Sequence, residues 1–366
     1  MVYSEQDLVR VAKRDNNKKR GYLVVDPLQG KHVPAVPTKA INLFKNLSEH
    51  IKNKYDNDKV LVIGFAETAT AIGAQVAIEL GAKYIQTTRE VIEKVEYLFF
   101  SEAHSHATEQ KLVKDDIDIA IEAVDRIIFV EDEVTTGNTI MNIINLLCAT
   151  YDKKIDFTIL SLLNGMDEDA LKRCESKNID IYYVLKTDHS EFESRADVYA
   201  TDGDYIAPDN KDNDNYRLLD ASGYLNARRL IDGSDYANAC QNLWQHIKEN
   251  IDIASDENIL VVGTEEFMYP ALYVGAQLEG MGCSVRCHST TRSPIAVSKD
   301  SEYPLHVRYE LESVFDKNRV TYLYDIDKYD RVVVITDASL EDKSFIYSLI
   351  NALQSKNDKI EVVRWN

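Results

Sequence analysis

The chain repeats itself, and that repeat limits its possible folds more than any other feature of its 366 residues. Asn46-Leu47-Ser48-Glu49-His50-Ile51-Lys52 recurs as Asn242-Leu243-Trp244-Gln245-His246-Ile247-Lys248. Val60-Leu61-Val62-Ile63-Gly64 matches Ile259-Leu260-Val261-Val262-Gly263, Gly73-Ala74-Gln75 matches Gly275-Ala276-Gln277, and Thr87-Thr88-Arg89 matches Thr290-Thr291-Arg292. Val130-Glu131-Asp132 then matches Ile335-Thr336-Asp337, and Ile144-Asn145 matches Ile350-Asn351. The offset grows in one direction, from 196 residues (46 to 242) to 206 (144 to 350), as loop insertions would make it. Any two βα units share some pattern by chance, but six matches in one order indicate two tandem copies of one α/β unit.

Within the first copy, apolar runs bounded by polar turns predict strands over Val60–Gly64, Tyr84–Thr87, Arg126–Val130, Phe157–Leu162 and Ile179–Val184. Ile41, Phe44, Leu47 and Ile51 at helical spacing predict a helix over Thr38–Lys54, and Ile140, Ile143, Ile144 and Leu147 one over Thr139–Cys148. Strands alternating with helices imply largely parallel sheets flanked by helices. Between the copies, Lys186–Asn215 carries nine acidic and three basic residues with turn signals at Asp202-Gly203-Asp204 and Pro208, so it reads as a solvated connection. The expected division is a first domain over 1–190, an acidic segment over 191–225 and a second domain over 226–366.

Charge narrows the choice of partners. Forty-two Lys and Arg against 61 Asp and Glu leave a net charge of −19, which repels nucleic acid and anionic lipid, so neither is expected as a partner. No apolar run approaches the roughly 18 residues that span a bilayer, and Met1–Asp15 lacks an apolar stretch of signal-peptide length, so a cytoplasmic location is expected. The five cysteines, 148, 174, 240, 283 and 287, contain no CxxC pair. Cys283-x3-Cys287-His288 lacks a second ligand pair at finger spacing, so these thiols read as buried small hydrophobes.

The chemistry-bearing segment follows the third strand. Ile127-Ile128-Phe129-Val130-Glu131-Asp132-Glu133-Val134-Thr135-Thr136-Gly137-Asn138-Thr139 is a buried strand, an acidic pair, and a Thr/Gly turn entering a helix. Thr135, Thr136, Gly137, Asn138 and Thr139 bring backbone amides and hydroxyls to the positive end of that helix, where a phosphate sits without needing a lysine. Glu131 and Asp132, at the carboxyl end of a strand in an open parallel sheet, are placed to accept hydrogen bonds from vicinal hydroxyls. A sugar phosphate satisfies both halves. The plainer reading is a capped helix after an acidic turn.

The string V-E-D-E-V-T-T-G-N-T resembles the phosphoribosyl-pyrophosphate loop of class I phosphoribosyltransferases. The resemblance implies that Glu131 and Asp132 hold the ribose 2′ and 3′ hydroxyls and that Thr135–Thr139 hold the 5′-phosphate of phosphoribosyl diphosphate (PRPP). Glu133 stands where the family usually has an apolar residue; it either adds a magnesium or hydroxyl contact or points to solvent. Gly64-Phe65-Ala66-Glu67-Thr68-Ala69-Thr70 resembles the pyrophosphate loop, which assigns diphosphate binding to Phe65, Ala66 and Glu67 and, from Thr87-Thr88-Arg89-Glu90, to Arg89. Phe99–Thr108 lies in the place of the family's mobile loop, so His104 and His106 are candidates for contacting the leaving diphosphate or shuttling a proton; ligating a metal or simply decorating a loop are the alternatives. Ser161-Leu162-Leu163-Asn164-Gly165 is a positional guess for contacts to the acceptor.

In the second copy, Thr336-Asp337 replaces the acidic pair and Ala338-Ser339-Leu340-Glu341-Asp342 replaces the Thr/Gly turn, so no phosphate site is expected there. Thr290-Thr291-Arg292-Ser293-Pro294 resembles the signature of the TRSP domain that follows the transferase in proteins encoded near tellurium-resistance genes. Lys19-Arg20-Gly21-Tyr22-Leu23 and Gly30-Lys31-His32-Val33-Pro34 resemble the same subfamily. Arg308-Tyr309-Glu310 and Tyr322–Asp325 are further polar-aromatic segments of this half, whose plainer reading is solvated surface.

The fold expected is therefore α/β, with two tandem parallel-sheet phosphoribosyltransferase-like units, the second degenerate. The activity implied is Mg2+-assisted transfer of 5-phosphoribosyl between diphosphate and a nitrogenous base, in synthesis of a nucleotide- or nucleoside-like metabolite linked to stress. Small molecules, PRPP and a nucleobase-like acceptor, are the implied partners. The two copies are expected to form an intramolecular pseudo-dimer with Arg292 reaching towards the first copy's site, and a homo-oligomer is a further option. The alternative is a regulatory protein that binds PRPP or a nucleotide and transfers nothing.

Overall fold

A computed structural model describes residues 2–15, 20–100 and 110–366. The chain forms two compact units, each assembled from separated stretches: residues 42–187 with 225–238, and residues 2–41, 188–224 and 239–366. This differs from the three successive segments expected from sequence. The acidic stretch belongs to the second unit, the run following it returns to the first, and the chain then re-enters the second; an exchange between distant segments leaves no local signal.

The first unit is built on a six-stranded sheet, ordered Ile231–Asp232, Lys83–Gln86, Val60–Gly64, Arg126–Val134, Asp156–Asn164, Asp180–Lys186. Its strands run parallel apart from the short antiparallel edge strand Ile231–Asp232. The central strands read as unbroken apolar runs because helices cover both faces of a parallel sheet. Leu61, Val62, Ile63, Ile127, Ile128 and Phe129 are all fully buried. Two glycines allow the helix Thr70–Leu80 to lie against the first strand: a Cβ on Gly73 would meet the Gly64 Cα at 2.8 Å.

The sheet of the second unit has the order Ser284–Ser289, Asn258–Gly263, Arg331–Thr336, Ile360–Trp365, Arg217–Ala221, all parallel. Both sheets therefore run second, first, third, fourth strand, which confirms the repeat. The fifth place is taken by a later strand in one unit and an earlier one in the other. Registers agree as well: Gly64 pairs with Gln86 and Val130, and Gly263 with Ser289 and Ile335. Each third strand opens with an arginine held by acids, Arg126 by Asp58 and Asp180, Arg331 by Glu257 and Glu361.

Three strands run further than their apolar runs predict, the last of them, Asp180–Lys186, by two residues. Arg126–Val134 continues through the acidic triplet because Asp156–Asn164 continues beside it, pairing Glu131 with Ser161 and Glu133 with Leu163. The helix after it, Asn138–Thr150, begins one residue before the expected start. In the second unit Val307–Glu312 and Val320–Tyr324 form a hairpin with Tyr309 and Tyr324 buried, so this polar-aromatic segment is partly core rather than solvated surface. Among the described residues no helix is long and apolar enough to cross a membrane.

Candidate functional site

In a sheet ordered second-first-third-fourth, the connections leave the first and third strands in opposite directions, and the crevice between their carboxyl ends is where open α/β sheets bind ligands. In the first unit that crevice is bounded by the loop after Gly64 and the turn after Val134. A cleft of about 70 Å³ lies there, lined by Glu131, Glu133, Val134, Thr135, Thr136, Gly137, Asn138, Thr139 and Ile140. The five residues predicted to hold a phosphate thus line one cleft with two of the acids.

The turn owes its shape to Gly137, which sits in the left-handed region at φ 70° and has no side chain with which to cap the helix Asn138–Thr150. No N-cap side chain therefore takes the first-turn amides, on the side where the helix dipole favours an anion, although the Asn138 amide donates to the Thr136 hydroxyl at 3.4 Å. A Cβ at Gly137 would also approach the Met166 Cε to 2.6 Å. Arg173 braces the turn from outside, donating to the Thr136 carbonyl at 3.3 Å.

The acids divide between two faces because successive strand residues point to opposite sides. Glu131 and Glu133 line the cleft, whereas Asp132 turns towards the first loop, where the Thr68 hydroxyl donates to its Oδ1 at 2.7 Å. All three residues keep some surface open, yet protein packs densely around the Glu131 and Asp132 carboxyls. Burial pushes Glu131 well above the usual carboxylate range, Asp132 and Glu133 push it further, and the positive charge of Arg89 opposes them. Burial likewise raises Asp132 to about 6 against the pull of the Thr68 hydroxyl. Such a site resists full ionisation until hydroxyl donors or cations arrive.

The expected pyrophosphate loop is differently committed. Phe65 is buried and packs on Phe129 and Phe100. Its amide donates to the Val130 carbonyl at 3.1 Å, and the Ala66 amide to the Thr87 hydroxyl at 2.8 Å. Those two amides finish the sheet instead of pointing outward, and the side chain this loop presents to the acidic strand is Thr68. Ala66 and Glu67 are buried, joined by a cis peptide bond. Arg89 follows Thr88, whose backbone is paired with Lys111, and lies within electrostatic reach of Glu131. His104 and His106 lie outside the described residues. Ser161 and Asn164, the positional guess for acceptor contacts, are fully buried strand residues, with Asn164 Oδ1 accepting from the Met166 amide at 2.9 Å.

Sequence reasoning did not find the segment 225–232. The Ala227 carbonyl accepts from the Gln86 amide at 2.8 Å, Arg229 forms a two-point pair with Asp116, and Arg228 is buried beside the strand that leads to Arg89. More than a hundred residues separate this run from the strand it extends, so nothing local marks it.

In the second unit, Arg292 pairs with Glu265 at 2.5 Å and Glu266 at 3.7 Å, both from its own unit. The Thr336 hydroxyl is within 2.9 Å of that of Thr264, and Asp337 accepts from the Tyr224 hydroxyl at 2.6 Å. Cys283 and Cys287 are buried with their thiols against backbone carbonyls. Among the described residues no three His, Cys, Asp or Glu side chains converge as a metal site.

Residues 8–186 match the family model described as phosphoribosyl transferase. Residues 231–353 match the model described as the TRSP domain, C-terminal to that transferase, so the chain carries the two segments in that order. No curated protein matches it in sequence. Among solved structures it is similar to adenine phosphoribosyltransferase from Rhodothermus marinus, at 16% identity and a TM-score of 0.36, covering 50% of this chain and 96% of that one. The Giardia lamblia enzyme complexed with 9-deazaadenine gives 16%, 0.35, 50% and 96%, and orotate phosphoribosyltransferase from Aeropyrum pernix 14%, 0.32, 54% and 96%. Overlaps of this size decide nothing about chemistry, which rests on the cleft.

Proposed function

We propose that the first unit is a PRPP-dependent phosphoribosyltransferase. The observation that carries this reading is the single cleft in which Glu131 and Glu133 face the Thr135–Thr139 turn at an uncapped helix start. A 5-phosphate fits the turn, and the ribose hydroxyls fit the carboxylates, with Asp132 held by Thr68 completing the acidic pair. Arg89 supplies positive charge for the diphosphate. Three acids at one strand end repel a diphosphate unless a cation intervenes, so Mg2+ would arrive on the diphosphate oxygens, with Glu133 as the protein's own contact.

No protein nucleophile is needed for this chemistry. As the bond between the anomeric carbon and diphosphate stretches, positive charge builds on the ribose, which the neighbouring carboxylates stabilise; the base nitrogen closes on that carbon, diphosphate departs with the electron pair of the broken bond, and the nitrogen's proton passes to the diphosphate or to solvent. His104 and His106 are proposed to meet the leaving group. The resemblance to proteins encoded near tellurium-resistance genes points to a nucleotide- or nucleoside-like product made under stress. Arg292, committed to acids of its own unit, is proposed to be structural rather than a visitor to this site.

The test is a PRPP titration with and without Mg2+, followed by diphosphate release across a panel of purine, pyrimidine and related bases. Mg2+-dependent binding with release for at least one base supports transfer. Binding with no release for any base makes the protein a PRPP-binding regulator, the second reading.

A further inference from the structure

The two units share one hydrogen-bond frame around the loop after the first strand. In the first, the Gly64 carbonyl accepts from the Thr87 amide at 2.9 Å and the Ala66 amide donates to the Thr87 hydroxyl at 2.8 Å. In the second, the Gly263 carbonyl accepts from Thr290 at 3.1 Å and the Glu265 amide donates to the Thr290 hydroxyl at 3.0 Å. The next residue pairs backbone to backbone in both, Thr88 with Lys111 and Thr291 with Tyr322. Glu265 therefore holds the position of Ala66, and Arg292 that of Arg89.

The Glu265 side chain does not reach solvent; the residue is 1% exposed. Its Oε2 receives Arg292 Nε at 2.5 Å and Arg319 Nη1 at 2.9 Å, and its Oε1 receives the Ser313 hydroxyl at 2.5 Å. The fully buried Lys31 ammonium donates to the Glu265 carbonyl at 2.7 Å and the Thr290 carbonyl at 2.9 Å. Two guanidiniums thus close on the buried Glu265 carboxylate, Arg292 also reaching Glu266 at 3.7 Å, while the Lys31 ammonium is held by backbone carbonyls beside it. Two guanidiniums and a hydroxyl closing on one oxyanion is the donor set that a phosphoryl group takes. Glu265 also holds φ 50°, a left-handed backbone that a residue with a Cβ adopts only when its surroundings enforce it.

We propose that the second unit retains an oxyanion cradle and that the Glu265 carboxylate is its permanent occupant, standing in for a phosphoryl group. The change from Ala66 to Glu265 closes this copy to anions, independently of whether the first copy binds PRPP. The TRSP string, with Thr290 just before it, is then the cradle's wall: Thr290 fixes the Glu265 amide and Arg292 of the string fixes its carboxylate.

The test uses the full chain carrying Glu265→Ala, titrated with inorganic pyrophosphate while tryptophan emission and Tm are followed. Trp244 and Trp365 both lie in the second unit, and Phe267, two residues beyond Glu265, packs against Trp365 at 6.1 Å between ring centroids. Expected is a Tm lowered by about 10 °C, restored by pyrophosphate with a submillimolar emission change that the unaltered protein lacks. Glu265→Gln, which keeps the bulk and loses the charge, is expected to lose Tm without restoration. An unchanged Tm in Glu265→Ala, no response to pyrophosphate, or equal restoration of Glu265→Gln overturns the proposal. Should Glu265→Ala not fold unaided, refolding in pyrophosphate against chloride at matched ionic strength decides: recovery with pyrophosphate alone supports it, and equal failure in both overturns it.

Discussion

The Thr68 hydroxyl donates to the Asp132 carboxylate at 2.7 Å, joining the loop after the first strand to the end of the third. That bond spans the crevice at which the sheet's connections diverge, and it favours the ionised acid. Thr68→Val removes it without changing shape. The expected result is a further rise in the Asp132 pKa and PRPP binding weakened about 3- to 10-fold, the loss being larger at pH 6 than at pH 8. Calorimetry at the two pH values checks this.

The acidic pair is held at a cost to the unliganded protein. Asp132 titrates at about 6 in the fold against 3.8 in the open chain, so its ionisation opposes folding. Its favourable contribution is present below about pH 4 and disappears as pH rises through 6, at most about 3 kcal/mol. Glu131 is shifted in the same direction. Asp132→Asn should therefore raise Tm at pH 7.5 and leave it nearly unchanged at pH 4, while weakening PRPP binding about 10- to 100-fold. Thermal denaturation at both pH values, alongside a binding titration, separates the two effects.

Gly137→Ala places a methyl group on a left-handed residue and against the Met166 methyl. A stability loss of about 1 to 2 kcal/mol is expected from the backbone alone. Binding should fall more than Tm, because the amides of the turn would rotate away from the phosphate. Gly81, with φ 60° and open space around it, is the control: Gly81→Ala should cost similar stability and leave binding intact.

Arg331 is fully buried between Glu257 and Glu361. Arg331→Ala leaves Glu257 and Glu361 only the distant Lys359 and Arg217, each at 4.0 Å, and should destabilise the protein by about 3 to 5 kcal/mol, read by urea denaturation. Lys does not replace it, because two carboxylates and the Asp252 carbonyl take separate guanidinium nitrogens.

Much of the scaffold was legible because parallel strands are buried on both faces and leave unbroken apolar runs such as Val60–Gly64. The repeat was legible because glycines recur at matched crowded places: Gly73 lies on Gly64, while Gly263 lies on the Phe267 carbonyl and Gly275 on the Cys287 side chain. The Thr/Gly turn was legible because a glycine stands where the backbone takes positive φ beside a helix start. The extension of the third strand through Glu133 was hidden, since acidic residues read as a turn while the pairing that keeps them extended comes from a neighbour. Glu265 was hidden too: an acid in a loop reads as surface until Arg292, Arg319 and Ser313, distant in sequence, are seen to enclose it. The return of residues 225–238 to the first unit had no signal at all, because Ile231–Asp232 is only two residues of edge strand.

Whether the cleft between Glu131 and Thr139 holds the donor is decided by a crystal structure of the full chain soaked with PRPP and Mg2+. Expected is the 5-phosphate against the amides and hydroxyls of Thr135–Thr139, with the ribose hydroxyls on Glu131 and, at the cleft's edge beside Thr68, on Asp132. Density for PRPP elsewhere on the protein, or an empty cleft at a donor concentration that saturates binding in solution, would contradict it.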